Sequence, residues 1–405
     1  MNHSTNAVLK AATRAFSGGG CRARCACHGS ISSDQTSLAP DSKLPLQFSP
    51  EKNLAWKSPL VGRGTSGPIV VGERIYLTAS SGADKQDHLH VLAYDAKSGK
   101  QLWKREFWAT GRCFHHPKMA NATPTPASDG KRIFAFYSSN DLVCLDLDGN
   151  LLWYRGLAHD YPKAGNDVGM SSSPLVVGET VVVQVENQGD SFAAGINTAT
   201  GETRWRVDRP AAANWASPAA LRGKDGKQLV LLQSAKGLTA HDPLSGEQKW
   251  KYDAGCPQIP SPTTVGSRIY LAANGLTALD TEAGATTANI AWDSNKLGPG
   301  NASPVVAGGK VFALRGAVLT GGDDKTGDEL WQVRLKGDFW ATPVVAGGHV
   351  YCVNQDGQCF VIKPGDEKAE LVSTMELGDV FLGSPAVAGN AMYLRSDKFL
   401  YKIVP

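Results

Sequence analysis

One short pattern recurs eight times along the chain and restricts its fold more than any other feature. A Ser, Thr or Gly precedes a Pro, and a Gly follows downstream of it, around Pro68, Pro126, Pro174, Pro218, Pro262, Pro304, Pro343 and Pro385. In seven copies the Gly stands four places after the Pro (Gly72, Gly130, Gly178, Gly266, Gly308, Gly347, Gly389), and the copy at Pro218 is stretched to Gly223. The mean spacing is about 45 residues, the length of a four-stranded repeat unit. Such a unit buries its faces only against its neighbours, so the copies are expected to stack into one body.

Each copy reads as strands and turns. In Ser303-Pro304-Val305-Val306-Ala307-Gly308-Gly309-Lys310-Val311-Phe312 a short apolar run meets a Gly-Gly turn and a second run follows, because tight turns need the positive φ that Gly tolerates. The Pro sits at a strand start, where no ladder donor is lost. An Asp corner comes next, as in Leu92-Ala93-Tyr94-Asp95 with Ser98-Gly99, Leu238 to Asp242 with Gly246, and Leu276 to Asp280 with Gly284. There the carboxylate closes the turn on backbone amides. A last strand carries Trp103, Trp153, Trp205, Trp250, Trp292 or Trp331, and large aromatics at one blade position are expected to fill the space between neighbours.

These units predict an all-β protein, an eight-bladed β-propeller of four-stranded antiparallel blades. Trp56 precedes the first copy, whereas the chain ends after Leu400-Tyr401-Lys402-Ile403 with no Trp strand of its own. The N-terminal strand around Trp56 is therefore expected to complete the last blade and remove a free edge. Residues 51–405 form the propeller in this reading. Residues 1–50, with only Asp34 and Asp41 as acids, read as a disordered leader or degraded signal segment. Ala7-Val8-Leu9 is interrupted by Lys10 and Arg14 before it makes a signal core, and Gly19-Gly20-Cys21 has only a faint likeness to a lipoprotein cleavage site.

Composition removes several functions. With 41 basic and 38 acidic residues the net charge is +3, too small and scattered for the footprint of a nucleic-acid binder. No apolar run reaches the length of a membrane-spanning helix. Three cysteines (Cys21, Cys25, Cys27) fall in the leader and five (Cys113, Cys144, Cys256, Cys352, Cys359) in the body, with no legible disulfide framework.

The pattern of Ser-Pro-Val-Val-x-Gly, then Leu-x-Ala-Leu-Asp-x-x-Thr-Gly, then Glu-x-x-Trp resembles the PQQ-like repeat family over residues 51–405. It is unlike WD repeats, since of the six strand tryptophans only Trp292 is followed by Asp. The resemblance implies one of two activities. Quinoprotein dehydrogenases hold pyrroloquinoline quinone and calcium in such a propeller; the BamB-like group, a non-enzymatic scaffold of outer-membrane assembly, uses the same form. The chain has no adjacent Cys-Cys pair and lacks the long insertions of the first group, so the BamB-like group is the better match.

Three sets of candidate site residues follow. Residues just before the repeated Pro lie where the blades converge, at the axial mouth: Asn214, Trp215, Gln258, Asn301, Phe339, Trp340 and Phe381. Aromatic groups beside amides suit an extended peptide or a small ligand. Glu186, Asn187 and Asp190 are the candidate calcium and quinone ligands under the dehydrogenase reading, as hard oxygen donors close in sequence. Cys113, His115 and His116 are weak candidates for a transition metal. No nucleophile elbow or phosphate loop occurs. The preferred expectation is a binding or scaffold propeller of the bacterial cell envelope, periplasmic, with protein partners, no cofactor of its own and possible peripheral membrane association. The alternatives are a quinone- and calcium-dependent dehydrogenase and a ligand-binding or sensor propeller.

Overall fold

The computed structural model describes residues 37–165, 169–223, 226–281 and 285–405. The leader cysteines lie outside these residues. Eight antiparallel sheets cover residues 69–108, 127–156, 175–208, 219–253, 263–294, 305–334, 344–376 and 386–403, which we number as blades one to eight. The inner strands of successive blades adjoin one another around an axis. The single helix among the described residues is the one-turn Leu157–Asp160.

The sequence signals have direct physical counterparts. The Gly four places after each Pro has φ between 53° and 85° in seven blades, the left-handed region in which a side chain would be strained. In blade four the hairpin is longer, and Gly226 takes the positive φ of 79°. At the corners, Asp95 accepts from Ser98 N at 2.7 Å, Asp242 from Leu244 N and Ser245 N at 2.9 Å, and Asp323 from Lys325 N at 2.8 Å.

Five corners receive the indole N–H of the preceding blade's tryptophan, and the outer strand of blade seven, Ala369–Glu376, carries none. Trp103, Trp153, Trp205, Trp292 and Trp331 donate their indole N–H to the carbonyls of Leu147, Thr198, Pro243, Asp324 and Gly365 in the next blade, at 2.9 to 3.1 Å. The rings lie on the corner glycines: a Cβ at Gly149 would stand 2.8 Å from Trp103, and one at Gly201 2.8 Å from Trp153. The sequence expectation that these aromatics fill the gaps between blades holds.

The ring closes as expected. Strand β1 (Leu38–Ala39) precedes strand β2 (Leu54–Pro59), and β2 pairs antiparallel with Phe399–Ile403, Trp56 facing Lys402, to complete blade eight. Trp56 then lies on Gly99 of blade one, where a Cβ would be 2.5 Å from its ring.

Residues 37–50, which the sequence reading gave to the leader, pack on the propeller. β1 pairs in parallel with the inner strand Val344–Ala346 and adds a fifth strand to blade seven. From there the chain runs outward, and Leu44 and Phe48 enter the core shared with Val344, Phe381 and Tyr401. Burial of Phe48, 2% exposed, supplies the driving force that a composition of small and polar residues conceals.

Replacing Trp153 by Ala is expected to cost about 3–5 kcal/mol of unfolding free energy by chemical denaturation. The neighbouring Leu152→Ala, at a side chain 48% exposed, is expected to stay within about 0.5 kcal/mol of wild type.

Candidate functional site

The repeated Pro organises the axis in two tiers. The residue before each Pro is held extended by the proline ring, so its N–H points sideways toward the next blade. Around the lower tier, the N–H groups of Gly67, Thr125, Ser173, Ser217, Ser261, Ser303 and Thr342 donate in turn to the side-chain hydroxyls of Thr125, Ser173, Ser217, Ser261, Ser303, Thr342 and Ser384, at 2.9 to 3.3 Å. Hydroxyls recur at this position because each satisfies a backbone donor that would otherwise be buried without a partner. The circuit lacks its eighth side chain at Gly67. Across that seam the buried Arg395 of blade eight donates to Ser66 Oγ at 2.6 Å and Thr78 O at 2.8 Å in blade one. The ring encloses a cavity of about 50 Å³, also lined by Ser37.

The upper tier is formed by the residues three places before each Pro. Seven of these positions, Thr65, Thr123, Ser171, Trp215, Ile259, Trp340 and Leu382, line a cup of about 400 Å³. Asn301 is the eighth by position. The apolar members come from blades four, five, seven and eight, and the small hydroxyl residues from blades one to three. Over the latter side folds the segment 110–119, which brings His116, Lys118 and Met119 to the lip.

That segment is anchored at both ends. The buried carboxylate of Asp141 accepts from Thr110 N at 3.0 Å and from Thr110 Oγ1 at 2.6 Å, and also from Tyr154 OH at 2.8 Å. Arg63 Nη2 donates to Pro117 O at 2.6 Å. Lys118 Nζ lies 5.1 Å from the centre of the Trp340 ring, a cation–π contact across the mouth. Trp215 is fixed by its indole N–H on Gly169 O at 2.8 Å, whereas Trp340 Nε1 has no partner among the described residues. The lining carries no carboxylate, so the cup is apolar with a cationic lip.

The structure divides the mouth candidates by a single position of strand alternation. Trp215 and Trp340 face the cup. Asn214, Phe339 and Phe381, one residue earlier in each blade, are buried behind its wall. Asn214 Nδ2 donates to Gln233 O at 2.9 Å, and Phe339 and Phe381 pack on Phe360 and Tyr401 at 5.8 and 5.5 Å. Gln258 is exposed and accepts the Trp215 N–H through its carbonyl at 2.7 Å. The sequence reading missed Thr65, Thr123 and Ser171 as lining residues; counting three back from every Pro finds them.

Glu186, Asn187 and Asp190 are spent on other partners. The Glu186 carboxylate accepts from Arg209 Nε at 2.6 Å and from Gln184 Nε2 at 2.8 Å. Burial raises its pKa, and the Arg209 guanidinium opposes that rise. Asn187 Oδ1 takes Gly189 N at 2.6 Å, and Asp190 pairs with Arg206 at 3.1 Å. One oxygen, Glu186 Oε2, has no partner, but the three side chains do not offer the shared set of free oxygens that calcium takes. Cys113, His115 and His116 do not converge either. Burial pushes the Cys113 thiol up to about 11, its sulfur accepts from Asn121 Nδ2 at 3.4 Å, and His116 Nδ1 takes Lys118 N at 3.2 Å. Among the described residues no group of three His, Cys, Asp or Glu side chains is placed to hold a metal ion.

A closed ring of eight repeat blades with one apolar cup on its axis defines the class, a PQQ-like repeat propeller. A family model described as outer membrane protein assembly factor BamB matches residues 49–168, 90–270 and 272–370, and the chain belongs to that family. Among solved structures it is similar to BamB from Moraxella catarrhalis, with TM-score 0.65 and 18% identity, covering 86% of this chain and 96% of that one. It is equally similar in fold to a europium-containing methanol dehydrogenase, with TM-score 0.67, 13% identity, and 92% and 96% covered. A quinohemoprotein alcohol dehydrogenase from Comamonas testosteroni gives TM-score 0.68, 14% identity, and 95% and 81% covered. In sequence, the quinate/shikimate dehydrogenase (quinone) of Acinetobacter baylyi is 27% identical over 180 residues, which are 35% of this chain and 21% of that enzyme. The match thus spans about a fifth of the curated relative's length. No helix of the described residues is long and apolar enough to cross a membrane.

Replacing Arg209 by Met strands a buried carboxylate and is expected to cost about 3–5 kcal/mol. Millimolar calcium should leave the melting temperature of the wild type unchanged. A calcium-dependent rise in thermal scanning that is absent from Glu186→Gln would assign Glu186 to a cation after all.

Proposed function

We propose that this chain is a non-enzymatic binding propeller of the bacterial cell envelope, similar in role to BamB, that holds an extended segment of a protein partner at its axial mouth. The observation that carries this reading is the cup itself. Two half-buried tryptophans, Ile259 and Leu382 form an apolar wall, and rigid aromatic area of this kind anchors peptide side chains at low entropic cost. Membership of the BamB family supports the same reading. The commitment of Glu186 and Asp190 to arginines leaves Glu186 Oε2 as the one buried oxygen of the set without a partner, short of the several oxygens that calcium takes.

The dehydrogenase reading is supported by the sequence likeness to the quinate/shikimate enzyme and by a fold likeness to the methanol and alcohol dehydrogenases equal to that to BamB. Calorimetric titration of the full chain with pyrroloquinoline quinone and calcium, followed by dye reduction over alcohols, sugars and cyclic hydroxy acids, separates the two. The binding reading expects no saturable uptake and no dye reduction. It also expects partner recovery from envelope extract to fall at least about tenfold for Trp215→Ala combined with Trp340→Ala, since buried aromatic anchors each contribute on the order of 2 kcal/mol. Saturable cofactor binding with turnover would replace it by the dehydrogenase.

A further inference from the structure

The direction of β1 bears on what fills the cup. The inner strand of blade seven descends from Trp340 at the mouth through Val344–Ala346 to the turn at Gly347 and Gly348. β1 runs parallel to it, Leu38 opposite Val345, with Ser37 O accepting the Val345 N–H at 3.0 Å. Ser37 therefore lies at the mouth-side end of β1, within the hydroxyl ring that it helps to line. The backbone of Ser37 thus enters β1 from the mouth side. The two tiers are two residues apart along each blade, and an extended chain advances about 3.3 Å per residue, so two or three residues ahead of Ser37 are enough to reach the cup.

The sequence there matches the cup in charge and shape. Residues 30–36 read Ser-Ile-Ser-Ser-Asp-Gln-Thr, with one carboxylate at Asp34 and one large apolar side chain at Ile31. On the other side, Lys118 is exposed at the lip and has no carboxylate partner among the described residues. The wall below it is Trp215, Ile259, Trp340 and Leu382. A cup of about 400 Å³ is at the small end of ligand pockets, large enough for a few residues of extended chain.

We propose that the cup is an intramolecular docking site whose resting occupant is the chain's own segment 30–36, with the Asp34 carboxylate against the Lys118 ammonium and Ile31 against Trp215 and Trp340. The docking stands on β1 and the cup alone. Its consequence, that a partner segment must displace the N-terminal segment before it binds, rests on the binding reading above. A segment joined to the propeller within a few residues has a high effective concentration at the site, so a displaceable occupant sets a threshold for partner binding and keeps an apolar surface covered until then.

Photo-cross-linking tests this on the purified full chain, with neither partner nor cofactor present. Benzoylphenylalanine placed at Ile31 is expected to give adducts within the same molecule, mapped by mass spectrometry to Met119, Trp215, Ile259, Trp340 or Leu382. The same probe at Val8 is expected to miss them. Lys118→Gln, and separately Asp34→Asn, should lower the Ile31 yield by about two- to fivefold, the range of an exposed ion pair. Adducts on the outer strands, adducts between molecules, or no adducts would overturn the docking, and an unchanged yield in both variants would overturn the Asp34–Lys118 pairing. Because the experiment contains no partner, its failure leaves the binding reading to be judged by its own test.

Discussion

The rest of this structure depends on the tryptophan that seven of the eight blades, all but blade seven, insert from the outer strand toward the corner of the next. A four-stranded blade cannot bury both faces alone, and the indole ring on a corner glycine, with its N–H on a corner carbonyl, fixes both the distance and the angle between neighbours. Repeated at seven of the eight junctions, with the indole bond itself at five of them, a fixed angle closes a ring. The pre-proline hydroxyl circuit does the same at the axis, tying backbone donors that lie too close to the centre for any sheet to satisfy. The interaction at the rim and the one at the hub are independent chemistries that impose the same symmetry.

Departures from that symmetry mark where the molecule is specialised. The hydroxyl circuit opens at Gly67, where Arg395 spans the seam between the last blade and the first, the junction that β2 closes. The longest interval between repeats, Pro68 to Pro126, supplies the segment that leans over the mouth. Four bulky apolar residues fall on one side of the upper tier and three small hydroxyl residues on the other, which converts an eightfold opening into a one-sided cup.

The repeat made the fold legible because each of its residues answers a local need: Gly a positive φ, Pro an extended predecessor, Asp a corner, Trp a neighbour. The closing strand at Trp56 followed from counting. The packing of residues 37–50 was hidden because Leu44 and Phe48 carry no period of their own and are buried by contacts with residues some three hundred positions away. The mouth was legible in position but not in detail. Phe339 and Phe381 looked like surface aromatics until strand alternation turned them inward, while Thr65 and Ser171 attract no notice as small polar residues. Glu186 and Asp190 looked like free hard donors because Arg209 and Arg206, their partners, stand on the far side of the same hairpin. Asp141, the buried anchor of the segment over the mouth, gave no sequence signal at all.

The account places the working surface at one end of the axis, and blade five offers a probe at each end. Ile259 lies in the cup and Val265 at the opposite face, with 36% and 40% of their surfaces exposed. The decisive measurement is site-specific photo-cross-linking from these two positions in intact envelope, with adduct masses compared. The account predicts a discrete partner adduct from Ile259 and none from Val265. A partner captured from Val265 and not from Ile259 would contradict it.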